Sequence, residues 1–97
     1  TWVVLNNQAL GWVQYNQFLT GKPFVGTEFA VPADFVRIAE AQGCRALRVA
    51  SPEEVRPALL VALEANRAGI PCLLDFVVEK HHYAPHFESI YKARHNR

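Results

Sequence analysis

Val4-Leu5-Asn6-Asn7-Gln8-Ala9-Leu10-Gly11 passes from a short apolar segment directly into two amides and a turn. With Trp2 and Val3 ahead of it, the segment is an unbroken apolar run, the pattern of a strand buried on both faces and followed by a crossover helix. In open α/β sheets, ligands gather at the carboxyl ends of such strands. Two asparagines there have a plain explanation, because Asn caps helices and tolerates turn conformations. Their side-chain oxygens are also hard neutral ligands, suited to Mg²⁺ beside a carboxylate and phosphate oxygens.

Outward from that turn the chain alternates helices and strands. Leu10 to Leu19 is predicted to be a helix, with Trp12, Tyr15 or Asn16, and Leu19 on one side. Thr20 to Val31 is predicted to be a loop, punctuated by Gly21, Pro23 and Gly26, and a loop of that length is usually functional or mobile. Asp34 stands where an N-cap or first-turn acid belongs, and Phe35, Ile38 and Ala39 form an apolar stripe that Gly43 ends. Arg45 to Val49 is a short strand with Leu47 and Val49 on one face.

Ser51-Pro52-Glu53-Glu54 is a capping box with proline at the first helical position. The helix it opens is expected to present Val55, Leu59, Ala62, Leu63 and Asn66 on one side. Pro57 should perturb its early turns by removing a backbone donor. Gly69 closes that helix, and Cys72 to Val78 reads as a central parallel strand interrupted only by Asp75. Three strands joined by helices, with no hairpin signal, imply an α/β fold: a three-layer parallel sheet with right-handed crossover helices.

Composition narrows the function. Ten Lys and Arg against nine Asp and Glu give a formal net charge of +1, and no basic stripe offers nucleic acid a footprint. No apolar run approaches the ~20 residues of a membrane span and no signal peptide pattern opens the chain. Cys44 and Cys72 lack CxxC spacing and are expected to be reduced, buried thiols in a cytoplasmic protein. The 97 residues contain no methionine, and the chain begins almost inside a strand, so a piece of a larger protein is expected. Beyond residue 80, His81, His82 and His86 invite a metal reading, but no acidic or thiol partner stands at a recognisable spacing. Pro85 argues instead for an extended tail, packed on another domain or near an active-site mouth.

Leu5-Asn6-Asn7-Gln8-x-Leu10-Gly11 resembles the end of the diphosphate-binding motif of thiamine-diphosphate-dependent enzymes, in the acetolactate synthase-like and 2-oxoacid decarboxylase-like group. That motif opens with Gly-Asp-Gly and closes with Asn-Asn; only the closing half is present. The resemblance continues through Pro32-Ala33-Asp34-Phe35-Val36-Arg37-Ile38-Ala39-Glu40-Ala41-Gln42-Gly43, through Leu47-Arg48-Val49 and through Pro71-Cys72-Leu73-Leu74-Asp75-Phe76. It implies that residues 1–80 are the C-terminal portion of a thiamine-diphosphate-binding domain and residues 81–97 a C-terminal tail.

The resemblance further implies that Asn7 binds Mg²⁺ through its side-chain oxygen and Ala9 through its backbone carbonyl. The cofactor-binding set would be Asn7, Ala9, Leu10, Gly11 and Trp12, with thiamine diphosphate and Mg²⁺ as cofactors. Relatives often have His at position 9, a change to which a backbone ligand is indifferent. The third ligand, the Asp of Gly-Asp-Gly, cannot be assigned in this chain, which supplies no catalytic residue. The activating glutamate of related enzymes comes from another domain, usually of a second subunit. The implied partners are therefore the remainder of the parent enzyme, a second subunit and a 2-oxoacid substrate, with neither nucleic acid nor membrane, and the piece alone should be inactive.

Two departures bear on the reaction. Decarboxylases that release an aldehyde often have an acid at the position of Val13, and an apolar residue there favours a carboligase or a lyase; the alternative is that Val13 is simply the apolar side of a helix. Asn16 replaces the Trp common in acetolactate synthases. The competing class is a non-catalytic α/β module kept for subunit association. A nucleotide-binding α/β protein ranks last, because no Gly-rich phosphate loop is present.

Overall fold

The computed structural model describes residues 1–80 together with Phe87 and Ser89. Two compact units divide the chain, Thr1–Asn7 with Val31–Val78, and Gln8–Ala30 with the described residues from Glu79 onward. The first holds strand β1 (Trp2–Asn6), helix α2 (Phe35–Ala41), strand β2 (Arg45–Val49), helix α3 (Pro52–Arg67) and strand β3 (Cys72–Val77), and the second holds helix α1 (Gly11–Leu19).

The three strands form a parallel sheet in the order β1-β3-β2. Leu74 at its centre pairs with Val3 on one side and Leu47 on the other. Because strand side chains alternate, Leu47, Val49, Cys72, Leu74 and Phe76 share one face, while Ala46, Arg48, Leu73, Asp75 and Val77 share the other. The first face carries α3: Ala58, Ala62 and Ala65 are buried in one cluster with Val49, Cys72 and Leu74, and Val55, Leu47 and Phe76 pack against it. α2 packs on the same two strands from the opposite side, and Asp34 at its N-cap meets the Arg48 side chain there. The expected layering of helix, parallel sheet and helix is what forms.

Local chemistry fixes the helix ends. Ser51 and Glu54 make the expected capping box, with Glu54 Oε2 accepting from the Ala50 N–H at 2.7 Å and the Ser51 N–H at 3.2 Å. α3 continues through Pro57 as a single helix. At its far end Gly69 adopts a φ of +77°, so that the Ile70 N–H reaches back to the Ala65 carbonyl at 2.9 Å. Gly43 ends α2 the same way, with the Cys44 N–H on the Ala39 carbonyl at 3.0 Å. Both are Schellman closures, which require the left-handed conformation that glycine adopts without strain.

One expectation about burial is overturned. β1 is not buried on both faces: it is the outer strand, and Trp2, Val3 and Leu5 are 69%, 53% and 71% exposed. Both helices pack over β2 and β3, which leaves β1 uncovered. Of the residues expected on one side of α3, Ala62 is buried and Val55 packs on the core, while Leu59 and Leu63 are 43% and 53% exposed. The alanine row lies against the central strands instead, because methyl-sized side chains let the helix backbone approach the sheet while leucines at its flank point past it. Asn66, from the same flank, accepts from the Thr1 ammonium at 3.3 Å and from the Thr1 hydroxyl.

The polar residue that interrupts β3 is fully buried. Asp75 Oδ2 accepts from Arg48 Nε at 3.1 Å, and Arg48 Nη2 donates to Asp34 Oδ1 at 3.1 Å. Asp34 also accepts the Arg37 N–H at 3.2 Å, and that hydrogen bond, aided by the charges of Arg48 and Arg37, holds its carboxyl below the usual carboxylate range. One arginine thus ties the start of α2 to the middle of the sheet. Asp75 Oδ1 has no partner among the described residues.

Candidate cofactor site

β1 ends at Asn6, whose side chain is buried and whose carbonyl accepts the Val78 N–H at 3.1 Å. Asn7 is half-buried and is the last residue of the first unit. Gln8 follows with φ at +56°, the one non-glycine residue in the left-handed region among those described. Such a conformation costs an ordinary side chain energy and persists where surrounding structure imposes it, commonly at ligand turns.

Ala9 pairs with Glu28 in an isolated antiparallel bridge, and the Leu10 N–H donates to the Thr27 carbonyl at 2.8 Å. α1 then begins at Gly11 without a side-chain cap and without an acidic residue in its first turn. The amides of a first helical turn have no partner inside the helix, and the helix dipole adds positive potential there. Here no side chain of the first turn neutralises that end. A phosphate group is the ligand such a terminus suits.

Further along α1, Gln14 and Gln17 reach the loop that the sequence left without structure. Gln14 is fully buried and its Nε2 donates to Glu28 Oε1 at 3.2 Å, while Lys80 Nζ lies 3.1 Å from the same oxygen. Gln17 donates from Nε2 to the Val25 carbonyl at 3.1 Å, and its Oε1 accepts from the Val25 N–H at 3.3 Å and from Thr27 Oγ1 at 3.0 Å. Thr27 is 2% exposed. Sequence reasoning did not single out these residues. The only signals were two glutamines one helical turn apart and a loop too long to be idle.

The remaining site positions are plain to place. Leu10 and Trp12 are exposed and Gly11 is half-buried. The Trp12 ring lies 6.0 Å from that of Tyr15 and 5.1 Å, edge-on, from that of Phe87, so a residue of the expected tail covers part of it. Val13 is half exposed, and Asn16 donates to the Trp12 carbonyl at 3.1 Å. His81, His82 and His86 lie outside the described residues. Among the described residues no three His, Cys, Asp or Glu side chains gather into a metal cluster, and no helix is long and apolar enough to cross a membrane.

These features define a class: an open parallel α/β unit whose first strand runs into a polar, constrained turn. The family described as thiamine pyrophosphate enzyme, C-terminal TPP binding domain, matches residues 1–76, and the chain belongs to it. It is 34% identical over 77 residues to a probable acetolactate synthase large subunit of Methanococcus aeolicus, covering 78% of this chain and 12% of that one. A probable acetolactate synthase large subunit of Methanocaldococcus jannaschii is 32% identical over 77 residues, with the same coverage. The putative thiamine pyrophosphate-containing protein YdaP of Bacillus subtilis is 31% identical over 78 residues, covering 80% of this chain and 13% of that protein. No solved structure gives a significant match. The chain therefore spans about an eighth of the length of the curated relatives it matches.

Proposed function

We propose that this chain supplies part of the Mg²⁺–diphosphate site of a thiamine-diphosphate enzyme acting on 2-oxoacids, a carboligase of the acetolactate synthase type. The observation that carries the reading is the first turn of α1, free of cap and acid, which follows directly on the constrained Gln8 turn. Asn7 offers a carboxamide oxygen and Ala9 a backbone carbonyl to the cation, and the chain from Leu10 to Trp12 contributes to holding the diphosphate. The bound cofactor provides the electron sink for loss of carbon dioxide from the 2-oxoacid.

This chain's own residues bind, orient and exclude water. With Val13 apolar and no acid in the first turn of α1, no side chain there delivers a proton, which supports trapping by a second carbonyl over release of an aldehyde. Residues 1–80 act as the C-terminal portion of the cofactor domain and residues 81–97 as its tail, Phe87 packing on Trp12. The third metal ligand and the activating glutamate come from the remainder of the parent enzyme and from a second subunit. Uncovered apolar side chains on β1 support an association role within the same assembly.

The test uses the full-length protein that carries this chain. Calorimetric titration with thiamine diphosphate should show binding that requires Mg²⁺ and that Asn7→Ala weakens by about an order of magnitude or more. Carbon-13-labelled pyruvate should yield a ligated hydroxy-oxoacid by NMR. Binding indifferent to Asn7→Ala removes the metal assignment, and acetaldehyde as the sole product removes the carboligase.

A further inference from the structure

The segment from Val25 to Glu28 is bonded on both sides, to α1 through side chains and to the cofactor turn through backbone. We propose that Gln17 and Thr27 are positioning residues for that turn: they brace Val25–Glu28, and the braced segment in turn fixes the backbone of Ala9 and Leu10. The inference rests on the reading above, in which the Ala9 carbonyl is a metal ligand.

The geometry gives Gln17 an unusual part. Its amide pairs with both the N–H and the C=O of Val25, as a neighbouring strand would, at 3.3 and 3.1 Å. The same Oε1 accepts the Thr27 hydroxyl at 3.0 Å, and Thr27 is almost fully buried. Two residues of the loop are thereby held to one side chain of α1. The Thr27 carbonyl then takes the Leu10 N–H at 2.8 Å, and the bridge from Glu28 to Ala9 lies one residue further on. Glu28 is itself held by Gln14 and Lys80.

The path from Gln17 to Ala9 is therefore a short series of hydrogen bonds, through the Gln17 and Thr27 side chains and then through backbone. A backbone ligand cannot be reoriented by a rotamer change, so its direction depends on what pins the adjacent peptides. Gln8, in the left-handed region just before Ala9, makes that dependence acute: released from the bridge, the turn can relax toward φ below zero. Gln17 and Thr27 need never touch the cofactor to govern its binding, as outer partners of metal ligands commonly do.

The experiment compares Gln17→Leu, Gln17→Glu, Thr27→Val and Thr27→Ser with the parent in the full-length protein. The probe is Mg²⁺ titrated in the presence of thiamine diphosphate. The second readout is amide exchange at Leu10 in cofactor-free protein. Gln17→Leu should weaken Mg²⁺-dependent binding on the order of tenfold and speed Leu10 exchange, Thr27→Val should do the same to a lesser degree, and Thr27→Ser should restore both. Gln17→Glu keeps the acceptor but loses the donor and should fall between.

Asn7→Ala separates the two readings. If Asn7→Ala weakens binding and neither Gln17→Leu nor Thr27→Val does, the brace is refuted and the ligand assignment stands. If Asn7→Ala has no effect, the ligand assignment fails; Leu10 exchange then still reports whether the brace holds the turn, and unchanged exchange refutes the brace as well. Should Gln17→Leu unfold the protein, Thr27→Val decides alone, and parent-like binding in it overturns the proposal.

Discussion

Leu74→Ala probes the packing at the centre of the sheet. Leu74 is fully buried in the central strand, beneath the alanine row of α3. The substitution removes three carbons, worth about 2–2.5 kcal/mol at ~0.8 kcal/mol per buried methylene. A cavity term adds to this, because the neighbours are ill placed to fill the space: Ala58, Ala62 and Ala65 have no side chain that can swing inward, and Val49 and Cys72 are fixed on paired strands. The expected loss is about 3–4 kcal/mol, in the middle of the range for such changes. A domain of this size holds only about 5–15 kcal/mol in total, and each kcal/mol lost lowers Tm by roughly 4–8 °C.

Urea unfolding followed by far-UV circular dichroism measures the loss, with an unchanged slope confirming that stability alone has moved. Adding Ala62→Leu to Leu74→Ala returns volume to the same cluster and should recover at least half of it. A loss below about 1.5 kcal/mol, or no recovery in the double variant, would refute the account of α3 as a helix whose close approach leaves the core unable to collapse.

Arg48→Met strands the buried Asp75 carboxylate and should destabilise the chain more than the paired change Arg48→Met with Asp75→Leu, read by the same urea curves. Ser51→Ala removes one half of the capping box and should cost about 1 kcal/mol, visible as a shifted midpoint. Asp34 has a folded pKa below its ordinary value of 3.8, so it contributes stability that is present above that pH and lost as the pH falls through the folded value. Asp34→Asn should therefore flatten the acid limb of a Tm-against-pH curve and leave its neutral region's slope unchanged. Burial pushes the Cys72 thiol up, whereas Cys44 is half-buried, so iodoacetamide at pH 8 should alkylate Cys44 first in a mass-spectrometric time course.

Much of the architecture is local and therefore written in the chain. The capping box at Ser51, the glycines after α2 and α3, the short strand Arg45–Val49 and the apolar run from Cys72 each depend on neighbours within a few residues; each forms where expected, the last strand ending at Val77 rather than Val78. The Asn6-Asn7 turn was legible for the same reason, and it pointed to the family that residues 1–76 match.

What the sequence could not decide depends on which surfaces meet. A continuous apolar run reads alike in a central and in an outer strand, so only the order β1-β3-β2 shows Trp2, Val3 and Leu5 uncovered. Hydrophobicity favours Leu59 and Leu63 over alanine, yet close helix–sheet approach selects the smaller side chain, and Ala58, Ala62 and Ala65 take the core. The brace of Gln17 and Thr27 joins residues 8 to 10 positions apart through hydrogen bonds that no periodicity announces. Sequence by itself determined the elements, their caps and the polar turn, because these follow from short-range backbone chemistry. Tertiary structure alone decided which faces are buried and what holds the turn, because both are set by contacts between segments whose composition does not record their partners.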